Sequence, residues 1–521
     1  MDGQTSRIEA EPEDAGEGGP DVEHFDVLLV GAGLSGIGAA WHLQQRCPHR
    51  TWLILEGREA IGGTWDLFRY PGIRSDSDMF TLGFAFKPWL EAKAIADGPS
   101  ILSYVCRTAE ENGIDRHIRF RHMVKKASWS TEAARWTVEA ERTDTGKTVR
   151  FTCSWLHMCS GYYDYAQGYL PDFAGMNRFR GTIVHPQFWP EELDYKGKRA
   201  VVIGSGATAV TLVPAMDQAA HVVMLQRSPT WIVSRPSRDA IADWLRAHLP
   251  AHVAYQLVRW KNVLMQQFFF QMARKRPEKV RTKLLDLVRE EVGPDYDVER
   301  HLTPRYDPWR QRLCLVPDSD LFEAIRAGRA SIVTDEIETF TETGLKLKSG
   351  AELEADIIVT ATGLKVQLLG DVALTVDGER RVPADSLTYR GMMFSDVPNL
   401  SFSFGYTNAS WTLKADLTAG YLCRILNHMA RKEVDIALPR RDPGIDELPF
   451  MDFSSGYVQR ALAILPKQGS EKPWRLYQNY ALDMASLKYG AVADGTMSFA
   501  KCEGARSGAR VAPRLRSEQA A

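Results

Sequence analysis

The chain has few cysteines, no long apolar run and almost no net charge, and each of these absences argues against a class of function. Its seven cysteines, Cys47, Cys106, Cys153, Cys159, Cys314, Cys423 and Cys502, are odd in number, scattered, and include no C-x-x-C pair. That pattern speaks against a disulfide framework, a zinc or other metal site and a dithiol redox centre, and it fits a reducing, cytoplasmic setting. No run of about 18 apolar residues occurs, and no charged-then-apolar leader opens the sequence, so neither a transmembrane span nor export is expected. A formal net charge of -2 gives a polyanion nothing to bind, which sets nucleic acid aside.

What is present is the make-up of a globular protein. The 521 residues, 44% hydrophobic and 25% charged, suffice for roughly three to four domains. Residues 1–23 are rich in Glu, Asp, Gly and Pro and read as a disordered tail, and residues 501–521 as a flexible one.

Two stretches look built to hold a dinucleotide. The apolar run Phe25 to Val30 feeds Gly31-Ala32-Gly33-Leu34-Ser35-Gly36 and a helix-like segment, and the next apolar run, Trp52 to Leu55, ends in Glu56. A strand, a G-x-G-x-x-G turn, a helix and an acid at ribose-binding distance form a strong signal. The glycines let backbone amides approach a pyrophosphate at the helix N-terminus, and the Glu56 carboxylate accepts from ribose hydroxyls but repels a 2'-phosphate. This turn suits FAD or NAD. The second stretch runs from Lys198 to Ile203 into Gly204-Ser205-Gly206-Ala207-Thr208-Ala209, and the following run, His221 to Leu225, ends in Gln226-Arg227-Ser228 without an acid. Arg227 can take a 2'-phosphate in bidentate fashion, which favours NADPH. Two such folds in one chain imply electron flow from nicotinamide to flavin.

Between and after them lie less regular segments. Gly62 to Asp76 is dense in Gly, Trp, Pro and charge; Trp65 offers a flat face to a ring system, and the Pro71-Gly72 turn can aim Arg74 and Asp76 at one place. Residues 235–308 show helical spacing and read as an insertion inside the NADPH-binding unit. Within it, Phe268-Phe269-Phe270 beside Arg274-Lys275-Arg276 leaves a peripheral membrane contact open, although a buried helix turn followed by a solvated face is the preferred reading. The expected architecture is α/β, with two Rossmann-like dinucleotide-binding domains: FAD-binding at 24–165 and 370–500, NADPH-binding at 166–234 and 309–369, and the helical insertion at 235–308. Phe179 to Pro190, F-x-G-x-x-x-H-x-x-x-W-P, joins the two as a loop.

Phe179 to Pro190 matches the fingerprint of the type I Baeyer–Villiger monooxygenases at every specified position, and Gly62 to Asp76 resembles that family's second signature. Arg69 to Asp78, Gly405 to Trp411 and Pro466 to Ser470 are similar to the branch typified by the ethionamide-activating monooxygenase. The resemblance implies that NADPH reduces FAD, that dioxygen adds to the reduced flavin, and that the resulting peroxyflavin converts a ketone to an ester or lactone. It also implies that thioethers or thioamides are oxidised. By motif position, Arg312 is the cation beside the flavin and Asp76 holds it. The implied cofactor-binding set is Gly31, Gly33, Ser35, Gly36, Glu56, Thr64, Trp65, Asp66, Leu67, Asp76, Val124, Gly204, Ser205, Gly206, Ala207, Thr208, Ala209 and Arg227. Phe179, Gly181, His185 and Trp189 are hinge residues that let nicotinamide deliver hydride and then retreat. Related enzymes often carry Lys where this chain has Gln311, so the preference for NADPH leans on Arg227. The rival readings are a flavin-containing monooxygenase of soft sulfur or nitrogen and a non-catalytic flavin redox sensor.

Overall fold

Short apolar strands that run into glycine turns organise two separate sheets in the computed structural model, which describes residues 22–311, 313–451 and 454–502. In the first sheet, Glu23–Val30 lies between Trp52–Leu55 and Thr148–Met158, all three parallel. At their inner ends, residues 27–30, 52–55 and 155–158, these strands are buried without alternation, as parallel strands covered on both faces are. Thr148–Met158 also closes an antiparallel meander with His122–Ser130 and Arg135–Arg142. Its inner end, Leu156–Met158, pairs in parallel with Leu400–Phe402 from late in the chain. Glu23, placed in the tail by composition, is instead the first residue of a strand, and Arg119 Nη2 donates to its carboxylate at 2.6 Å.

The second sheet has five parallel strands in the order Ala330–Thr334, His221–Gln226, Arg199–Ile203, Ile357–Val359 and Thr182–Val184. The two sheets solve the same steric problem in the same way. Gly31 has φ +107° and Gly204 φ +141°, and a Cβ there would lie 2.6 Å from the Cys159 carbonyl oxygen and 2.4 Å from that of Ala361, respectively. Each turn thus folds tightly over the end of the neighbouring strand, which a side chain would prevent.

Two short strands carry the chain between the halves, Tyr163–Gly168 outward and Leu364–Val366 back, and they pair with each other antiparallel. Four helices lie between strands Trp231–Arg235 and Leu313–Pro317: Ala240–His248, Ala251–Lys275, Pro277–Val292 and Val298–His301. The insertion was expected to belong to the NADPH-binding unit, but it straddles both halves. Tyr255 and Val258 join the core of the first half, while Leu285 and Val288 join that of the second. The expected buried Phe turn is also absent: Phe268 is 57% exposed, and Phe269 is exposed as well, with Arg235 placed 5.6 Å from its ring centroid. The helix turns this stretch outward because its inner face is already taken by Tyr255, Val258 and Asn262.

The halves meet through the Pro71-Gly72 turn. Phe68 and Tyr70 insert into the core of the second half, and a Cβ on Gly72, at φ +75°, would lie 2.5 Å from Ala215 Cβ on the helix Ala207–Ala215. Gly72→Leu is therefore expected to destabilise the protein by on the order of 2–3 kcal/mol, seen as a drop of several degrees in melting temperature. Gly113→Leu, at φ +63° but with nothing within 4 Å of an added Cβ, should lose clearly less; equal losses would show that the turn's packing is unimportant.

Candidate active site

A cavity of about 410 Å³ opens between the two halves. One wall carries Gly31, Gly33, Ser35, Glu56, Thr64, Trp65, Asp76 and Val124 from the first half, and the facing wall carries Ala207 and Thr208 from the second. Ten residues expected from sequence to bind cofactor thus border one space, although they span positions 31 to 208 and two sheets.

Glu56 follows directly on the buried strand Trp52–Leu55 and is itself only 7% exposed. The Ala32 amide donates to its Oε2 at 2.7 Å and the Arg58 amide to its Oε1 at 2.9 Å. Burial raises the pKa of the carboxyl, against the pull of those two amides in the opposite direction. The remaining lone pairs can accept from a vicinal diol, the geometry a ribose offers. Ser35, in the first turn of the helix Leu34–Arg46, accepts from the Trp411 indole at 2.8 Å. The late Gly405–Trp411 segment is thereby pinned across the flavin turn, and Tyr406, Ala409 and Trp411 all line the cavity.

Several expected residues stand elsewhere. Asp66 does not line the cavity; it accepts from Arg58 Nη2 and, at 2.8 Å, from Arg69 Nη2, and so fixes Arg58, which does line it. Leu67 packs against the core of the second half. Gly36 is buried in the helix behind the first turn, where an added Cβ would lie 1.9 Å from the Gly31 carbonyl oxygen, and Ala209 is buried at the matching place behind the second. Gly204, Ser205 and Gly206 form the second turn but do not border the cavity. Ser205 Oγ donates to the Ser228 carbonyl at 3.1 Å, which holds the turn beside the exposed Arg227. Gln226, at the position where Glu56 stands in the first half, is buried, and its amide nitrogen donates to the His301 carbonyl at 2.7 Å and to Thr334 Oγ1 at 2.9 Å. Its amide nitrogen is spent on the protein. Arg312 lies outside the described residues; Leu315, three positions on, borders the cavity.

The fingerprint is only partly the expected loop. Thr182–Val184 is an edge strand paired with Ile357–Val359, and Pro186–Phe188 is one turn of 3-10 helix. Phe179 fills the core behind the second sheet, Trp189 is buried on its other side, and Gly181 passes close to Asp356, where a Cβ would lie 2.4 Å from the carbonyl oxygen. His185 accepts from the Gln187 amide at Nδ1, at 3.2 Å, and its Nε2 lies 3.3 Å from the Gly363 carbonyl. A carbonyl only accepts, so Nε2 carries the proton, and burial lowers the pKa of the ring and favours this neutral form. The ring lies against Gly168, where an added Cβ would be 2.0 Å from its Cε1. His185 therefore touches the end of one connecting strand, at Gly168, and the residue just before the other, Gly363, at the junction of the halves and away from the cavity.

Sequence reasoning missed three features of the site. Arg58 is placed by Asp66, a pairing with no motif. Tyr70 shares a hydrogen bond with Thr208, and burial pushes its phenol up to about 12. Arg74 borders the same cavity as Asp76, and its pairing with Asp320, which no motif announces, also ties the first half to the second.

The comparisons with known proteins agree with this architecture. A family model described as flavin-binding monooxygenase-like matches residues 94–369, and one described as an NAD(P)-binding Rossmann-like domain matches 29–92. The chain is 55% identical over 484 residues to the FAD-containing monooxygenase EthA of Mycobacterium tuberculosis (strain CDC 1551 / Oshkosh), covering 92% of this chain and 98% of the relative. Among solved structures, an oxidised steroid monooxygenase bound to NADP superposes with a TM-score of 0.71 at 21% identity, covering 92% of this chain and all of the other. OTEMO in complex with FAD and NADP gives a TM-score of 0.63 at 22% identity, covering 80% and 88%. By the reach of the family model and the identity to the mycobacterial relative, the chain belongs to the flavin-binding monooxygenase-like family.

Proposed function

We propose that the chain is an NADPH- and O2-dependent FAD monooxygenase that oxidises ketones to esters or lactones by Baeyer–Villiger chemistry and also oxygenates thioethers or thioamides. One observation carries the reading: a single cavity bordered on one side by a glycine turn with its ribose-type carboxylate and on the other by the first turn of a second dinucleotide helix. The residues fit an FAD. Gly31 and Gly33 leave room for a pyrophosphate, Glu56 offers acceptors to the ribose, and Trp65 gives an aromatic wall. When bound, the flavin takes up the electrons of NADPH and activates dioxygen.

The protein's own part is holding and polarising. Thr208 and Ala207, steadied by the Tyr70 hydrogen bond, present the second helix to the cavity. The backbone of Gly204 to Gly206 receives the second pyrophosphate, and Arg227, exposed beside that turn, pairs with the 2'-phosphate. Trp411, Tyr406 and Leu315 keep the space apolar and exclude water. We assign Arg312 as the permanent cation facing the oxyanion that develops on the ketone oxygen, and Asp76 as the carboxylate that positions it; a guanidinium stays charged in a dry site. His185, bonded across the junction, couples the connecting strands to the fingerprint and sets how the halves move.

Incubation of the holoprotein with NADPH, oxygen, phenylacetone or a medium-chain ketone, and a thioether should yield ester and sulfoxide. NADPH consumption that produces only peroxide across the ketones would refute the Baeyer–Villiger reading, and sulfoxide without ester would favour the sulfur and nitrogen oxygenases. Arg312→Ala should keep NADPH-driven flavin bleaching and lose ester formation. Arg227→Ala is expected to raise KM for NADPH on the order of tenfold and leave that for NADH nearly unchanged, as the loss of one charge-assisted phosphate contact predicts. Glu56→Gln, which removes one acceptor from the ribose, should weaken FAD retention by about tenfold in a flavin-release titration.

A further inference from the structure

The helix Ala251–Lys275 has two unlike faces. Inward, Arg259 donates to the Phe80 and Gly83 carbonyls at 2.8 and 2.7 Å, and Asn262 donates to Asp78 at 2.8 Å. Outward, Leu257, Trp260, Leu264, Met265 and Phe268 are all exposed, with Leu264 at 62%. Positions 257, 260, 264 and 268 recur at one helical face, so the exposed residues form a continuous stripe rather than scattered ones. On the adjoining helix Ala240–His248, Trp244 is 60% exposed. A monomer seldom leaves such a stripe to water.

The charge of the helix selects an occupant. Its 25 residues contain no Asp or Glu, and its C-terminal end carries Lys275, followed by the exposed Arg276 and Lys279. An apolar stripe with tryptophan at its edge, on a helix without acids, and a basic end in which Lys275, Arg276 and Lys279 outnumber the one exposed acid, Glu278, is complementary to a negatively charged lipid surface. Among the described residues no helix is long and apolar enough to cross a membrane, so the contact is one of lying on the surface. The inner face bears on the reaction site as well. Val263, Gln266 and Gln267 line a small void with Tyr406 and Ala409, and the latter two also border the large cavity. A single helix thickness, roughly 10 Å, separates the stripe from that wall.

We propose that this stripe docks the protein on an anionic lipid bilayer, with Leu264 and Phe268 in the acyl boundary and Lys275, Arg276 and Lys279 among the headgroups. Docking stands apart from the oxygenation reading; the corollary that apolar substrates dissolved in the bilayer reach the cavity past Val263 and Gln266 rests on it.

The test is co-sedimentation of the full-length holoprotein with vesicles of phosphatidylcholine and phosphatidylglycerol, alongside vesicles of phosphatidylcholine alone. Binding is expected to the anionic vesicles, to weaken with salt, and to fall by at least about tenfold in Leu264→Glu/Phe268→Glu, with FAD content and oligomeric state unchanged. Should that pair lose FAD, Leu264→Gln/Phe268→Gln gives the same comparison. No binding by the parent protein, equal binding by the variant, or a parent dimer that the variant splits into monomers would overturn docking, the last because a second copy would then cover the stripe. NADPH-dependent oxidation of a water-soluble ketone, measured without vesicles in both proteins, separates the two readings: its absence in both would refute the oxygenase function and leave the vesicle result to stand by itself.

Discussion

The structure depends on one close contact, the Pro71-Gly72 turn seated on the helix Ala207–Ala215. The turn leaves a bare backbone where a side chain would collide with Ala215 and Thr211. Because it fits, Phe68 and Tyr70 reach into the second half's core, Tyr70 bonds Thr208 at the start of the nucleotide helix, and Arg74 pairs with Asp320. The segment that follows the flavin turn is thus also the segment that registers the second dinucleotide fold against it. Cavity shape, the facing of Thr64 and Thr208, and the position of Asp76 all follow from this seat. A slip of the turn along the helix would move both nucleotide walls relative to each other without breaking either sheet.

The two dinucleotide turns are near copies in backbone but differ in the group at the end of the next strand. In the first half that group is a buried carboxylate held by two amides, available to a diol. In the second it is Gln226, whose amide nitrogen is consumed by His301 and Thr334, with the exposed Arg227 next to it. One sheet geometry therefore carries a carboxylate in one half and an amide beside a guanidinium in the other, at a single residue position and its neighbour.

Features written in local chemistry were legible from sequence. Both glycine turns, Glu56 after its strand and the helical run after position 235 each depend on residues close together in the chain, so pattern alone locates them. What depends on distant partners was not. The stretch from Thr182 to Val184 reads as a loop because three residues say little about pairing; its strand character comes from Ile357–Val359. Asp66 carries the motif expected of a cofactor residue, yet its carboxylate is occupied by Arg58 and Arg69, and it is Arg58 that lines the cavity. Trp411 and Tyr406 arrive from more than three hundred residues beyond the turn they cover, and no spacing rule announces that. Phe268 looked like core by composition and is exposed because other residues of its helix had already filled the inner face.

The strand Leu400–Phe402 has a bearing on synthesis. It completes the first sheet beside Leu156–Met158, and His157 and Ser401, bonded at 2.8 Å, are 244 positions apart. Everything between them, the whole second sheet and the helical insertion, leaves the ribosome before that strand does. The second half can therefore assemble while the first still has an unpaired strand edge, and the first closes only when the final quarter of the chain arrives. Contacts of such long sequence separation form slowly and expose sticky edges meanwhile. Truncation or stalling after Val359 but before Leu400 would thus leave a nascent protein with one finished nucleotide fold and one open sheet, the kind of half-assembled product that chaperones must shield.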